Sequence, residues 1–167
     1  GRIVLQDDMY VTEAINNKTF FKNPALLEAI NNVQKNNSNI HLMGLLSGDQ
    51  SAHVNPKHLQ ALLELLRSKG MKNIYLHLFT DGRDSSPRAG MRYLKSLLGS
   101  FKNGEKIATI TGRSYAMDRN KNWSKTELVY NAMVRGEGQH VNSPEEAIIQ
   151  AYNRGESDEF ILPTVIM

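Results

Sequence analysis

Four short apolar runs divide the chain: Ile40 to Leu46, Asn73 to Phe79, Lys106 to Thr111 and Ile161 to Ile166. Each is strand-length and mostly apolar, the pattern of strands buried on both faces. Between them apolar residues fall at helical spacing. Asn23-Pro24 predicts a helix start, with Asn as cap and Pro in the first turn, and Leu26, Leu27, Ile30 and Val33 form its inner face. Asn55-Pro56 opens a second helix that runs to Gly70, a natural stop, and Ser86-Pro87 precedes a third carrying Met91, Leu94, Leu97 and Leu98. Two more begin at Ser124 and at Ser143-Pro144. Residues 1–22 read as a strand or extended lead-in followed by a short helix around Thr12 to Asn16.

Alternating strands and helices of these lengths predict βαβ units. The expected fold is α/β, a three-layer α/β/α sandwich with a mainly parallel sheet. No internal repeat, low-complexity tract or interdomain linker interrupts it, so residues 1–167 read as one domain. Such a chain buries roughly 70% of its unfolded surface.

Composition narrows the function classes. The chain is 40% hydrophobic and 22% charged, as globular domains are, and no run reaches the roughly 18 apolar residues of a membrane span. There is no cysteine, which removes disulfides and thiolate metal sites and fits a reducing compartment. The start lacks the pattern of a signal peptide, and cytoplasm is the expected location. The start also lacks an initiator Met, as a piece of a longer chain would. The net charge of +3 is too small to predict a nucleic-acid partner.

In open parallel sheets, ligands bind beyond the carboxyl ends of the strands. That rule selects the loops Ser47 to His53, Thr80 to Asp84 and Gly112 to Arg119, which gather three Arg, four Asp and a His. Arg-Asp pairs often only brace a loop. Three such loops at neighbouring strand ends favour a small-anion site instead, because Arg offers carboxylate or phosphate a planar, permanently charged fork. Arg83 is a clamp for such an anion, and Asp84 is suited to accept a hydroxyl proton or hold a hydroxyl. Arg113 and Arg119 converge only if the segment between them folds back. Asp81 reads as a turn residue, and Asp118 either orients an Arg or caps a turn.

His53 is placed to donate to an anion or carry a proton. His41, His58, His77 and His140 read as structural, the last in a polar linker, and Tyr115 and Trp123 as packing anchors. No metal-ligand spacing, phosphate-cradling glycine loop or activated nucleophile is present. The residues describe a surface that binds and positions, with one proton carrier.

The motifs GLLS at Gly44 to Ser47, DGRD at Asp81 to Asp84, GRSYAMDR at Gly112 to Arg119, and DEFILPTVI from Asp158 resemble those of the cofactor-independent phosphoglycerate mutases. Trp123 and the opening GRIVLQD resemble that family too, so the likeness covers nearly the whole chain. It implies a single phosphotransferase domain, normally inserted in a domain like alkaline phosphatase. That second domain, absent from this chain, holds two Mn2+ ions and a serine that is transiently phosphorylated. The activity implied is an isomerase that interconverts 3-phosphoglycerate and 2-phosphoglycerate. Arg83, Arg113 and Arg119 would bind the substrate's carboxylate and phosphate. His53 and Asp84 would handle the glycerate hydroxyls, with Asp84 as general base. The implied partners are phosphoglycerate and the phosphatase-like domain of the same polypeptide, with no nucleic acid and no membrane, in a monomer.

Two departures stand out. The first loop is one residue longer than the family's SDGGVHS and lacks its glycine pair, and Asn120 replaces the Asp that usually follows MDR. With no nucleophile or metal ligands of its own, the chain alone is expected to have no mutase activity and to need no cofactor. Two other readings compete. A non-catalytic phosphate- or RNA-binding module fits the isoelectric point near 9.1 but needs a continuous basic face. A stand-alone sugar-phosphate enzyme needs its own nucleophile or metal.

Overall fold

The computed structural model describes residues 1, 4, 6–102 and 104–167. Arg2, Ile3 and Leu5, which belong to the expected extended lead-in and to the opening GRIVLQD motif, lie outside the described residues. The elements run α1 (Asp7–Asn16), α2 (Pro24–Lys35), β1 (Ile40–Leu46), α3 (Pro56–Ser68), β2 (Ile74–Thr80), α4 (Gly90–Leu98) and β3 (Glu105–Gly112). They continue with α5 (Arg113–Ala116), α6 (Trp123–Arg135), β4 (Gln139–Val141), α7 (Pro144–Asn153) and β5 (Thr164–Ile166). One-turn 3₁₀ helices occupy Phe20–Lys22 and Asp158–Phe160.

Local chemistry starts three helices where the sequence places them. The side chain of Asn23 accepts from the backbone N–H of Ala25 and Leu26, Asn55 from Lys57, and Ser143 from Glu146, each followed by Pro at the first helical position. Helix α4 differs. It begins at Gly90, three residues beyond Pro87, because its start is capped from far along the chain: Gly90 N–H donates to Asp158 Oδ2 at 2.7 Å. Asp158 also accepts from Tyr152 Oη at 2.6 Å and is fully buried. Burial raises its pKa against these bonds.

The sheet order is β1-β2-β3-β5-β4, with β1, β2 and β3 parallel, β5 antiparallel to β3, and β4 parallel to β5. Right-handed crossovers through α3 and α4 put both helices on one face. Helix α7 packs on α4, and α2 lies alongside α3, where Gln34 Nε2 donates to Lys69 O at 2.8 Å. Their side chains Ile30, Val33, Leu63, Leu66, Leu94 and Ile148 meet Leu46, Ile74, Leu76, Leu78, Ile107 and Ile110 in one core. Helix α6 packs against β3 and β5 and completes the α/β/α layers. It stops at Gly136, whose φ of 69° satisfies the left-handed cap.

Three expectations change. β1 is an edge strand whose residues alternate in exposure, with Met43 67% exposed, so it is not buried on both faces. The last strand is only Thr164–Ile166, because Ile161 turns its carbonyl to Gly112 N–H at 2.7 Å and Pro163 has no N–H to give. His140 lies in the three-residue strand β4 instead of a linker. His41, His58 and His77 are structural as expected: His58 bonds Thr12, and His41 bonds His77, which bonds Thr109. No helix among the described residues is long and apolar enough to cross a membrane.

Candidate functional site

Strand register builds the site. Leu46, Thr80 and Gly112, the last residues of β1, β2 and β3, are partners across the sheet. The next residues, Ser47, Asp81 and Arg113, therefore emerge side by side at one rim. Asp81 joins them: its Oδ2 accepts from Ser47 Oγ at 2.5 Å and its Oδ1 from Arg113 Nη1 at 2.6 Å. The same Oδ1 accepts the backbone N–H of Arg83 and Asp84, at 3.2 and 3.1 Å. Asp81 is thus a turn residue, as its sequence suggests, and also the tie between three loops.

Gly82 lets the second loop turn there. Its φ is 66°, and a Cβ would stand 2.6 Å from the backbone N of Glu159. Beyond it, Asp84 accepts from Arg113 Nη1 at 2.8 Å and from Ser51 Oγ at 3.0 Å. Ser51 Oγ in turn receives the His53 backbone N–H at 3.3 Å. The lengthened first loop is in this way fastened to the second.

These contacts set the charges. Burial pushes the Asp81 carboxyl up, but hydrogen bonds from Ser47, Arg113 and the loop backbone outweigh it and hold its pKa low. Asp84 is held low chiefly by Arg113, then by Ser51. Burial disfavours the Arg113 cation, yet the two carboxylates raise its pKa. The three groups are a fixed, ionised cluster at neutral pH.

A cleft of about 540 Å³ opens beside this cluster, lined by His53, Arg83, Asp84, Arg113 and Arg119. All five residues singled out from sequence border it. They differ in state. Arg113 is 8% exposed and salt-bridged to Asp81 and Asp84, whereas Arg83, Asp84, Arg119 and His53 are exposed. Among the described residues, neither Arg83 nor Arg119 has an acidic partner. Arg113 and Arg119 reach one cleft because α5 ends at Ala116 and the chain turns back. Asp118 fastens that turn: its Oδ2 accepts the N–H of Asn120 and Asn122, at 3.0 and 2.8 Å. Of its two readings, the cap is the one seen.

Sequence reasoning missed several members. Lys125, Ser114, Met117, Asn120, Glu159 and Phe160 also line the cleft. Lys125 comes from a helix read only for its apolar face, and Phe160 stands just before the run read as the last strand. Tyr115 is partly buried, as an anchor should be, but Trp123 is 72% exposed and anchors nothing within the described residues. Among those residues, no cluster of three or more His, Asp or Glu is placed to hold a metal ion.

Comparison with known proteins shows the family and the fold. Residues 11–167 match the family model described as BPG-independent PGAM N-terminus. A 2,3-bisphosphoglycerate-independent phosphoglycerate mutase of Clostridioides difficile (strain 630) is 48% identical over 170 residues, covering 100% of this chain and 32% of that protein. The protein of the same name from Methanococcoides burtonii is 46% identical, over 100% of this chain and 33% of its own length. Among solved structures, a crystal structure of Leishmania mexicana phosphoglycerate mutase at low cobalt concentration superposes with a TM-score of 0.91. Its identity is 27%, over 99% of this chain and 32% of that one. The chain spans about a third of the length of the curated relatives it matches. The matched family model, these relatives and the shared fold show that the chain belongs to the family of the BPG-independent phosphoglycerate mutase N-terminus.

Proposed function

We propose that this chain is the substrate-holding domain of a 2,3-bisphosphoglycerate-independent phosphoglycerate mutase, an isomerase of glycolysis. Residues 1–167 form one phosphotransferase domain, inserted in a metal-bearing, phosphatase-like domain of the same polypeptide. Its ligand is phosphoglycerate. The single observation that carries this reading is the convergence of His53, Arg83, Asp84, Arg113 and Arg119 on one cleft at the carboxyl ends of three parallel strands.

The two phosphoglycerates share a carbon skeleton and differ in which hydroxyl carries the phosphoryl group. The phosphoryl group leaves one hydroxyl for a serine of the second domain and returns to the other, so the glycerate must be gripped meanwhile. Arg83 and Arg119, which lack acidic partners among the described residues, supply charge to the ligand's carboxylate and phosphate. Arg113 presents a guanidinium already oriented by Asp81. Asp84 is ionised at neutral pH and stands as the base that accepts a proton from the attacking hydroxyl, while His53 holds or protonates the other. Among the described residues no cluster of His, Asp or Glu fits a manganese pair, which we assign to the second domain.

Calorimetric titration of the purified chain with 3-phosphoglycerate tests the reading, beside a coupled enolase assay. Weak binding that is lost in Arg83→Ala and Arg119→Ala, without turnover, is the expected result. Binding unaffected by those changes would remove the site assignment, and turnover by the chain alone would remove its dependence on a second domain.

A further inference from the structure

Lys125 belongs to no motif that the sequence singled out, yet it lines the cleft. Its Nζ donates to Ser114 O at 3.2 Å and to Ser114 Oγ at 3.4 Å, and stands 5.3 Å from the centre of the Tyr115 ring. These partners are neutral, so they position the cation without cancelling it. An ammonium has three N–H donors, and Ser114 engages at most two of them.

The charge balance of the cleft gives that cation weight. Arg83, Arg113, Arg119 and Lys125 line it together with Asp84, Asp118 and Glu159. Counting four cations against three carboxylates, Lys125 is the difference between a neutral lining and a positive one. Arg113 shares its charge with two aspartates, Asp81 and Asp84. A phosphomonoester brings a charge of about −2 at neutral pH, and a carboxylate adds another. A compact ammonium on a flexible stem suits the phosphate, whose oxygens accept from any direction.

We propose that Lys125 is a further ligand-binding residue of the cleft, contacting the phosphate of a phosphorylated hydroxy acid and separating it from the unphosphorylated acid. This rests on the reading of the cleft as a phosphoglycerate site. Helix α6 thereby adds its first turn to the three strand-end loops as a fourth wall of the site.

The test is an amide NMR titration of the 167-residue chain at fixed ionic strength, using 3-phosphoglycerate, glycerate and inorganic phosphate, with wild type, Lys125→Met and Lys125→Arg. Thermal melts check that each variant folds, and Lys125→Gln replaces the Met variant if that one does not. Loss of one charge-assisted hydrogen bond weakens binding by about tenfold. That loss is expected for 3-phosphoglycerate with Lys125→Met, little change for glycerate, and partial rescue in Lys125→Arg. Equal weakening of glycerate and phosphoglycerate would show that Lys125 only braces Ser114, and unchanged affinity for phosphoglycerate would overturn the proposal while leaving the site reading intact. Wild type that binds inorganic phosphate but not phosphoglycerate would contradict the site reading, and with it this one. A wild type that binds none of the three would do the same.

Discussion

Asp81 and Arg113 follow the last residues of two adjacent parallel strands, and their side chains meet at 2.6 Å, Arg113 Nη1 donating to Asp81 Oδ1. Asp81 is 1% exposed and Arg113 8%, so the pair is a buried one. Breaking such a pair costs about 3–5 kcal/mol, and losing Asp81 leaves Arg113 with Asp84 alone and takes the acceptor from Ser47 and from the N–H of Arg83 and Asp84. Asp81→Ala is expected to destabilise the chain by that order in urea unfolding. Asp81→Asn, which can still accept from the loop N–H groups, should cost less.

Asp81 and Asp84, with Glu105 beside Arg67, are depressed carboxyls that give the chain an acid limit. Asp81 and Asp84 have folded pKa values below their unfolded ones, so their contribution to stability is fully present above the unfolded value of about 4. It is lost as pH falls through the folded values. Urea midpoints should therefore be level at neutral pH and fall below about pH 4. In Asp81→Asn the acid slope should be shallower, and an unchanged slope would show that other groups set it.

The arginines should separate by role. Arg83→Ala and Arg119→Ala remove exposed side chains without acidic partners among the described residues, so unfolding midpoints should hardly move while ligand affinity falls. Arg113→Ala removes the buried partner of two carboxylates and should lower both. Stability and affinity measured on the same three variants make the comparison.

Two glycines with similar backbone angles form a matched pair. Gly70 has φ 73° and open space around it, whereas Gly82 has φ 66° and backbone 2.6 Å from where a Cβ would stand. Gly70→Ala should cost only the conformational penalty, about 1 kcal/mol. Gly82→Ala should cost more and also loosen the loop that carries Arg83 and Asp84. Melting temperatures of the two variants decide it.

The features legible in the sequence are those whose cause is local. Asn23, Asn55 and Ser143 cap the helices they precede, and a neighbouring Pro announces each. The Arg-bearing loops were legible because a parallel sheet fixes which strand ends carry ligands. What escaped depends on distant partners. The start of α4 is set by Asp158, 68 residues away. The joining role of Asp81 exists only once three strands are in register. Strand β4 is three residues with two exposed, too short for any periodicity to show. Lys125 sits in an amphipathic helix, where a polar residue reads as solvated until the fold puts a cleft beside it.

The most direct measurement is a crystal structure of the chain grown with saturating 3-phosphoglycerate. One ligand should lie in the cleft, with its carboxylate and phosphate oxygens within hydrogen-bond distance of Arg83, Arg113 and Arg119 and a hydroxyl facing Asp84. Ligand density elsewhere on the surface, or in the cleft but out of reach of those guanidinium groups, would contradict the account.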